Sequence, residues 1–186
     1  MANDEARWVA RAATGDAAAF RQLVEAHSSA LFRVCARITG DKALAEDAVQ
    51  EAFFNAYRHL GDFDGRSAFS TWLHRIAVNA ALEQMRKRHR VEDALPEGEE
   101  ASDLLADAFD SPPGPDRHAT SAELGREIEA QLARMSAIER TAFVLRHHEG
   151  CSIEDISQTL SLSESASKQA IFRAVRKLRA VLEPAV

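Results

Sequence analysis

Apolar positions recur at helical spacing through most of this chain. Asp4 to Thr14 reads as a short helix closed by Gly15. Asp16 then caps a long helix whose stripe is Phe20, Leu23, Val24, Leu31, Val34 and Ile38, ending at Gly40. Asp41 opens a third, with Ala45, Ala48, Val49, Ala52, Phe53, Ala56 and Leu60 as its core side, ending near Leu60-Gly61. After a turn at Asp64-Gly65 a fourth runs from Thr71 to about Arg88. Ser70 or Thr71 caps it, and Trp72, Leu73, Ile76 and Ala80 face inward.

The pattern resumes beyond residue 118. Helices are expected from about Ser121 to Ala133 and from Ser136 to His148, the second stopped by Gly150. SIEDISQTLSLSESASKQAIFRAVRKLR then reads as a helix-turn-helix. Ser152 with Asp155 resembles a capping box, and Ile153, Ile156 and Leu160 form the first helix's inner face. Leu162 fills the turn and Ser163 caps the second helix. At 100° per residue, Ile171, Val175, Leu178 and Leu182 cluster and are expected to be that helix's buried side. Gln169, Arg173 and Arg176 then lie roughly opposite, flanked by Lys168, Lys177 and Arg179. The fold class expected is all-α: two small helical domains, a four-helix one and a helix-turn-helix one, joined by a flexible acidic linker.

Charge sharpens that division. The net charge is −6, yet nine acids and no Lys or Arg lie between Glu92 and Asp116, among four prolines and two glycines. Removing those nine from the chain's 29 acids leaves 20 against 23 bases. The segment reads as a self-repelling tether, and the domains are expected at 1–90 and 118–186 with a linker at 91–117. Aromatics are only 6% of the 186 residues, a mix that suits helices more than sheets. No apolar run approaches the roughly 18 residues of a membrane span. The N-terminus MANDEARW lacks the apolar core of a signal peptide, so the chain is expected to be cytoplasmic. Cys35 and Cys151 have no zinc-ligand spacing, and His147 and His148 point about 100° apart on a helix. No nucleophile motif or phosphate loop is present. The expectation is a non-enzyme without metal or cofactor.

Three candidate surfaces follow. On the third helix Asp47, Gln50, Glu51 and Phe54 fall together. Acids beside an apolar ring suit a docking face for a basic partner. In FDGRSAFSTWLHRIAVNAALEQMRKRHR the rings Phe63, Phe69 and Trp72 interleave with Arg66, Arg75 and Asn79, and the run Arg86-Lys87-Arg88 follows. Unstacked bases need such π-faces and donors, while Phe69 or Trp72 taken singly would serve equally as core. On the last helix Ser165, Lys168, Gln169, Arg173, Arg176 and Lys177 make a basic face. No acid occurs from Gln169 to Leu182. Such a helix suits a DNA major groove, with Gln for an adenine edge and Arg for guanine or phosphate.

AEDAVQEAFFNAY with FDGRSAFSTWLHRIAVNAAL, and then MSAIERTAFVLRHHEGCSIEDISQTLSLS, carry a resemblance over nearly the whole chain. The chain resembles a bacterial RNA polymerase sigma factor of the sigma-70 superfamily, in the extracytoplasmic-function (ECF) group. The resemblance implies that Asp47, Gln50 and Glu51 dock on the β′ clamp helices of the polymerase. It places Phe63 to Ser70 at the loop that captures a flipped base of the −10 element, with Arg75 and Asn79 on the adjoining helix. It sets Lys168, Gln169, Arg173 and Arg176 towards the −35 element. Implied partners are core polymerase (β′ clamp and β flap), promoter DNA and an anti-sigma factor. One departure stands out: the family's stretch like VGTVKSRLHRA is ESASKQAIFRA here, residues 164 to 174. Ser167 replaces an apolar residue, and Ala170 stands where an Arg is expected to contact DNA. Two rival functions stay open: a sigma-like decoy for an anti-sigma factor, which the altered helix favours, and a stand-alone helix-turn-helix regulator.

Overall fold

The computed structural model describes residues 2–92, 125, 127, 128 and 130–182. Every regular element among them is helical. The N-terminal elements are α1 (Ala2–Ala13), α2 (Ala17–Thr39), α3 (Lys42–His59), a 3-10 turn (Leu60–Asp62) and α4 (Phe69–Glu92). Helical residues 125, 127, 128 and 130–133, called α5, precede α6 (Ala137–His147), α7 (Ile153–Leu160) and α8 (Glu164–Leu182). The chain divides into two compact units, one centred on α1–α4 and one on α5–α8. Residues 93–117 of the expected tether lie outside the described residues. None of the described helices is long and apolar enough to cross a membrane.

Local chemistry accounts for most helix ends. Asp16 Oδ1 accepts the Ala18 and Ala19 backbone N–H groups at 2.9 and 3.1 Å, and Oδ2 pairs with Arg11 at 2.6 Å. The Ala19 N–H and then Arg11 hold its carboxyl below the ordinary range. Gly15, at φ +93°, makes the left-handed turn between α1 and α2. Reciprocal capping boxes open α6 (Ser136 with Glu139) and α7 (Ser152 with Asp155). Arg140 closes α5 by donating to the Leu132 and Ala133 carbonyls at 2.7 Å each. α4 begins earlier than expected: the Ala68 carbonyl accepts the Trp72 N–H, so Ser70 and Thr71 lie inside the first turn rather than capping it.

The core of the first unit is rich in alanine. Ala45, Ala48, Ala52 and Ala56 on α3 and Ala77 and Ala81 on α4 are fully buried, along with Leu23, Ile38, Leu73 and Val78. Small side chains let helix backbones approach closely. Val49, Phe20, Val24, Trp72 and Ile76 are only half-buried. In the second unit Leu132, Met135, Ala174 and Leu178 form a cluster with Ile128 and Phe143 against it.

The buried side of α8 differs from expectation. Ser167, Ala170, Ala174 and Leu178 are buried, whereas Ile171 and Val175 are half-buried. The inward side is therefore turned by about 60° from the stripe of large apolar residues. α8 packs against both α6 and α7, and the line of closest approach takes the small side chains. There the Ser157 and Ser167 hydroxyls meet at 3.1 Å. Ala170 consequently faces the core, and the expectation that it marks a lost DNA contact is corrected.

Candidate nucleic-acid interface

α4 presents one polar face. Trp72, Arg75, Asn79, Glu83, Arg86 and Arg90 recur at three- and four-residue intervals, opposite Leu73, Ala77, Ala81 and Met85. Arg75, Asn79, Arg86 and Lys87 are exposed, and Arg88 is half-buried. Glu83 partly neutralises the run, pairing with Arg86 at 3.5 Å and Arg90 at 3.0 Å.

At the head of this face the rings gather. Phe63 lies 5.2 Å from Trp72 and 5.8 Å from Phe69, and Phe69 lies 5.7 Å from Trp72, centroid to centroid. His27 of α2 adds an edge contact to Phe69 at 5.5 Å and bonds Glu5 of α1 at 2.9 Å. Phe63 and Trp72 are half-exposed, but Phe69 is only 5% exposed. Phe69 cannot offer a face to a base; it is the floor on which the other two rings rest. That corrects its place among the base-contacting candidates. The alternation of aromatic residues in sequence carries no sign of which ring points inward. In the adjoining loop Asp64 Oδ1 accepts the Arg66 N–H at 3.0 Å, and Oδ2 pairs with the Arg66 guanidinium. The backbone N–H and then the side chain of Arg66 draw the Asp64 carboxyl below its usual range. Gly65 takes φ +72° at the turn, and the Arg66 side chain stays exposed.

On α3, Asp47, Gln50, Glu51 and Phe54 are all exposed, Phe54 by 57%. The Arg58 guanidinium lies 5.5 Å from the Phe54 ring centroid, and Glu51 accepts from Asn55 at 3.1 Å. Glu51 and Asn55 share a groove with Ile76, Asn79, Glu83 and Lys87 of α4. The acidic face of α3 and the polar face of α4 therefore adjoin.

In the second unit the six candidates of α8 separate into two sets. Arg173 and Lys177 turn towards α6, where both bind the carboxylate of Glu139 at 3.1 and 2.6 Å. Glu139 is 8% exposed. Burial by itself would raise its carboxyl; the hydrogen bonds from Lys177 and Ser136 outweigh that and hold it below the ordinary range. Ser165, Lys168, Gln169 and Arg176 point to solvent, with Lys168 paired to Glu164 at 3.1 Å. The same rotation of α8 brings out a residue absent from the sequence-based set. Phe172 is 65% exposed, in the middle of this face. Its signal in the sequence was an aromatic residue inside an acid-free basic helix, which apolar patterning would assign to a core.

Comparisons with known proteins agree with this architecture. The model of Sigma-70 region 2 matches residues 23–91, and that of Sigma-70, region 4 matches residues 125–178. The chain is 34% identical to the RNA polymerase sigma-H factor of Pseudomonas aeruginosa, over 95% of this chain and 92% of that one. It is 30% identical to the ECF RNA polymerase sigma factor SigW of Bacillus subtilis, over 89% of each. Among solved structures, CnrH in complex with the cytosolic domain of CnrY is similar, with a TM-score of 0.63 and 28% identity over 96% of this chain and 97% of that one. Helices, matched regions and near full-length coverage concur, and the chain belongs to the sigma-70 family of RNA polymerase sigma factors, within its ECF group.

Proposed function

We propose that the chain directs promoter-specific transcription initiation by dividing three tasks among its exposed faces. The Asp47, Gln50, Glu51 and Phe54 face docks on core RNA polymerase at the β′ clamp. The half-exposed rings Phe63 and Trp72, with Arg66, Arg75, Asn79 and the basic run 86–88, hold unstacked bases of the −10 element. Ser165, Lys168, Gln169 and Arg176 meet the −35 duplex, with Arg173 and Lys177 orienting α8 through Glu139. The division into a region at 1–90, a tether at 91–117 and a region at 118–186 follows from the same reading. The catalytic step belongs to the polymerase, and the factor acts in the cytoplasm without a cofactor.

One observation carries this reading. An exposed acidic and aromatic face on α3 adjoins a stripe of ring, cation and amide on α4 across a shared groove. Polymerase docking and strand capture would thus be built on two helices that line one groove. A stand-alone helix-turn-helix regulator has no use for either face. The decoy reading drew on the altered recognition helix, and its two altered residues, Ser167 and Ala170, are both buried. An anti-sigma factor fits as a regulator that would cover these same faces.

Run-off transcription with purified core polymerase and a promoter library tests the reading. The wild-type chain yields transcripts from a subset of promoters. Asp47→Arg/Glu51→Arg loses all of them with an unchanged circular dichroism spectrum, because both positions are solvent-exposed. Wild-type chain that folds and yields no transcript from any promoter would overturn it.

A further inference from the structure

The floor beneath Phe63 and Trp72 is supported from outside α4. The buried Phe69 ring meets Phe63 at 86° and Trp72 at 41°. A third ring touches it from α2: His27, inclined at 60° with the centroids 5.5 Å apart. The imidazole is held in turn by α1. His27 Nε2–H donates to Glu5 Oε1 at 2.9 Å, a carboxylate being an acceptor only. Glu5 stands ten residues before Gly15 and His27 twelve after it, so two helices folded back at that turn bring them level. Arg11 and Asp16 fasten the same hairpin at its closed end. Glu5 and Val9 of α1 also line one groove with Phe63, Asp64 and Phe69.

This chain of contacts has a consequence for the two outer rings. A base stacks best on rings whose inclination is set before it arrives. Edge-to-face contacts have a preferred geometry, so a turn of the imidazole shifts Phe69 and with it the rings above. The His27 side chain is 15% exposed and that of Glu5 30%, so water competes less for this bond than for a surface pair. Without the carboxylate, the imidazole nitrogen would turn outward to find water. One flank of Phe69 would then lose its partner atoms.

Resting on the reading of Phe63 and Trp72 as the rings that hold −10 bases, we propose that Glu5 and His27 are positioning residues for strand capture, α1 bracing the Phe69 floor through the imidazole. Core polymerase loaded with the full chain binds a labelled single-stranded oligonucleotide carrying the −10 element of a promoter that the wild type uses. Anisotropy gives the affinity per loaded polymerase. Glu5→Ala weakens it about fivefold, the value of one hydrogen bond, with loading on core unchanged. Glu5→Gln keeps an acceptor oxygen and stays within about twofold of wild type. In a Phe63→Ala/Trp72→Ala background, where the cations of α4 still hold the strand, Glu5→Ala has no further effect. Glu5→Ala that binds the oligonucleotide as wild type does, whatever its thermal midpoint, overturns the proposal and leaves the reading of the rings standing. A Glu5→Gln variant as weak as Glu5→Ala overturns the hydrogen-bonded brace. An equal loss with and without the two rings overturns it in favour of a general stabilisation of the first unit. If removing both rings leaves the affinity unchanged, the reading of the rings falls and this proposal with it.

Discussion

Phe63, Phe69 and Trp72 are near neighbours in sequence and touch in space, yet their exposure separates their roles. Phe69, buried against His27 and the other two rings, is a packing residue. Phe69→Ala is expected to cost about 3 kcal/mol of stability, the lower end for an aromatic cavity, and to show as a lowered thermal midpoint. Phe63→Ala is expected to cost less in folding, since its ring is half-exposed. It should lower promoter opening by about tenfold, read by 2-aminopurine fluorescence in the −10 element with loaded polymerase, as a lost base stack would. Phe69→Ala that folds normally but fails to open promoters would refute this division. The Cys35 thiol, by contrast, is shielded from solvent: it is buried against α4, donates to the Ala77 carbonyl at 3.7 Å, and burial pushes its pKa up to about 12.

At the scale of elements, Glu139 decides how α8 sits on α6. One carboxylate takes part in the capping box of α6 and binds two cations of α8, one turn apart. Its folded pKa lies below the ordinary value of 4.5. The group therefore contributes stability that is present above about pH 4.5 and is lost as pH falls through the lower folded value. Glu139→Gln keeps the shape but not the charge. It should destabilise the second unit by about 1–2 kcal/mol at neutral pH, well under the cost of a fully buried pair because Arg173 and Lys177 are partly solvated. Acid unfolding of the variant should be flatter below pH 4.5, followed by far-ultraviolet dichroism. An identical acid profile would show that the carboxylate is not coupled to the fold. The turn between α7 and α8 uses Ser161 at φ 54°, a left-handed conformation that Gly adopts more easily. A helix-turn-helix needs such a turn between its two helices.

For the whole molecule, the outward bases of α4 and α8 share one chain with nine acids between Glu92 and Asp116. A net charge of −6 is expected to oppose approach to DNA, and these acids are expected to compete for the basic surfaces. Replacing those nine by their amides should raise the free chain's affinity for duplex DNA on the order of tenfold near 50 mM salt, and by much less near 200 mM. Fluorescence anisotropy against labelled duplex at the two salt concentrations measures it; a salt-independent change would point to something other than charge.

The amino-acid sequence by itself determined the helices, most of their caps (that of α4 excepted), the split into two units and the family. Those rest on local rules: apolar spacing, Asp16, Ser136 and Ser152 at helix starts, and motifs that survive any rotation of the helix bearing them. The exposure of Asp47, Glu51 and Phe54 was also legible, since a strongly polar side of α3 has nowhere to go but solvent. Tertiary structure alone decided which way α8 turns and which ring of the aromatic cluster faces in. Patterning weighs a helix by its large apolar residues, and in α8 it chose Ile171 and Val175. Packing weighs distance of approach, and against α6 and α7 the closest line went to Ser167, Ala170 and Ala174. That turn of about 60° buries Ala170, commits Arg173 and Lys177 to Glu139, and leaves Phe172 facing out.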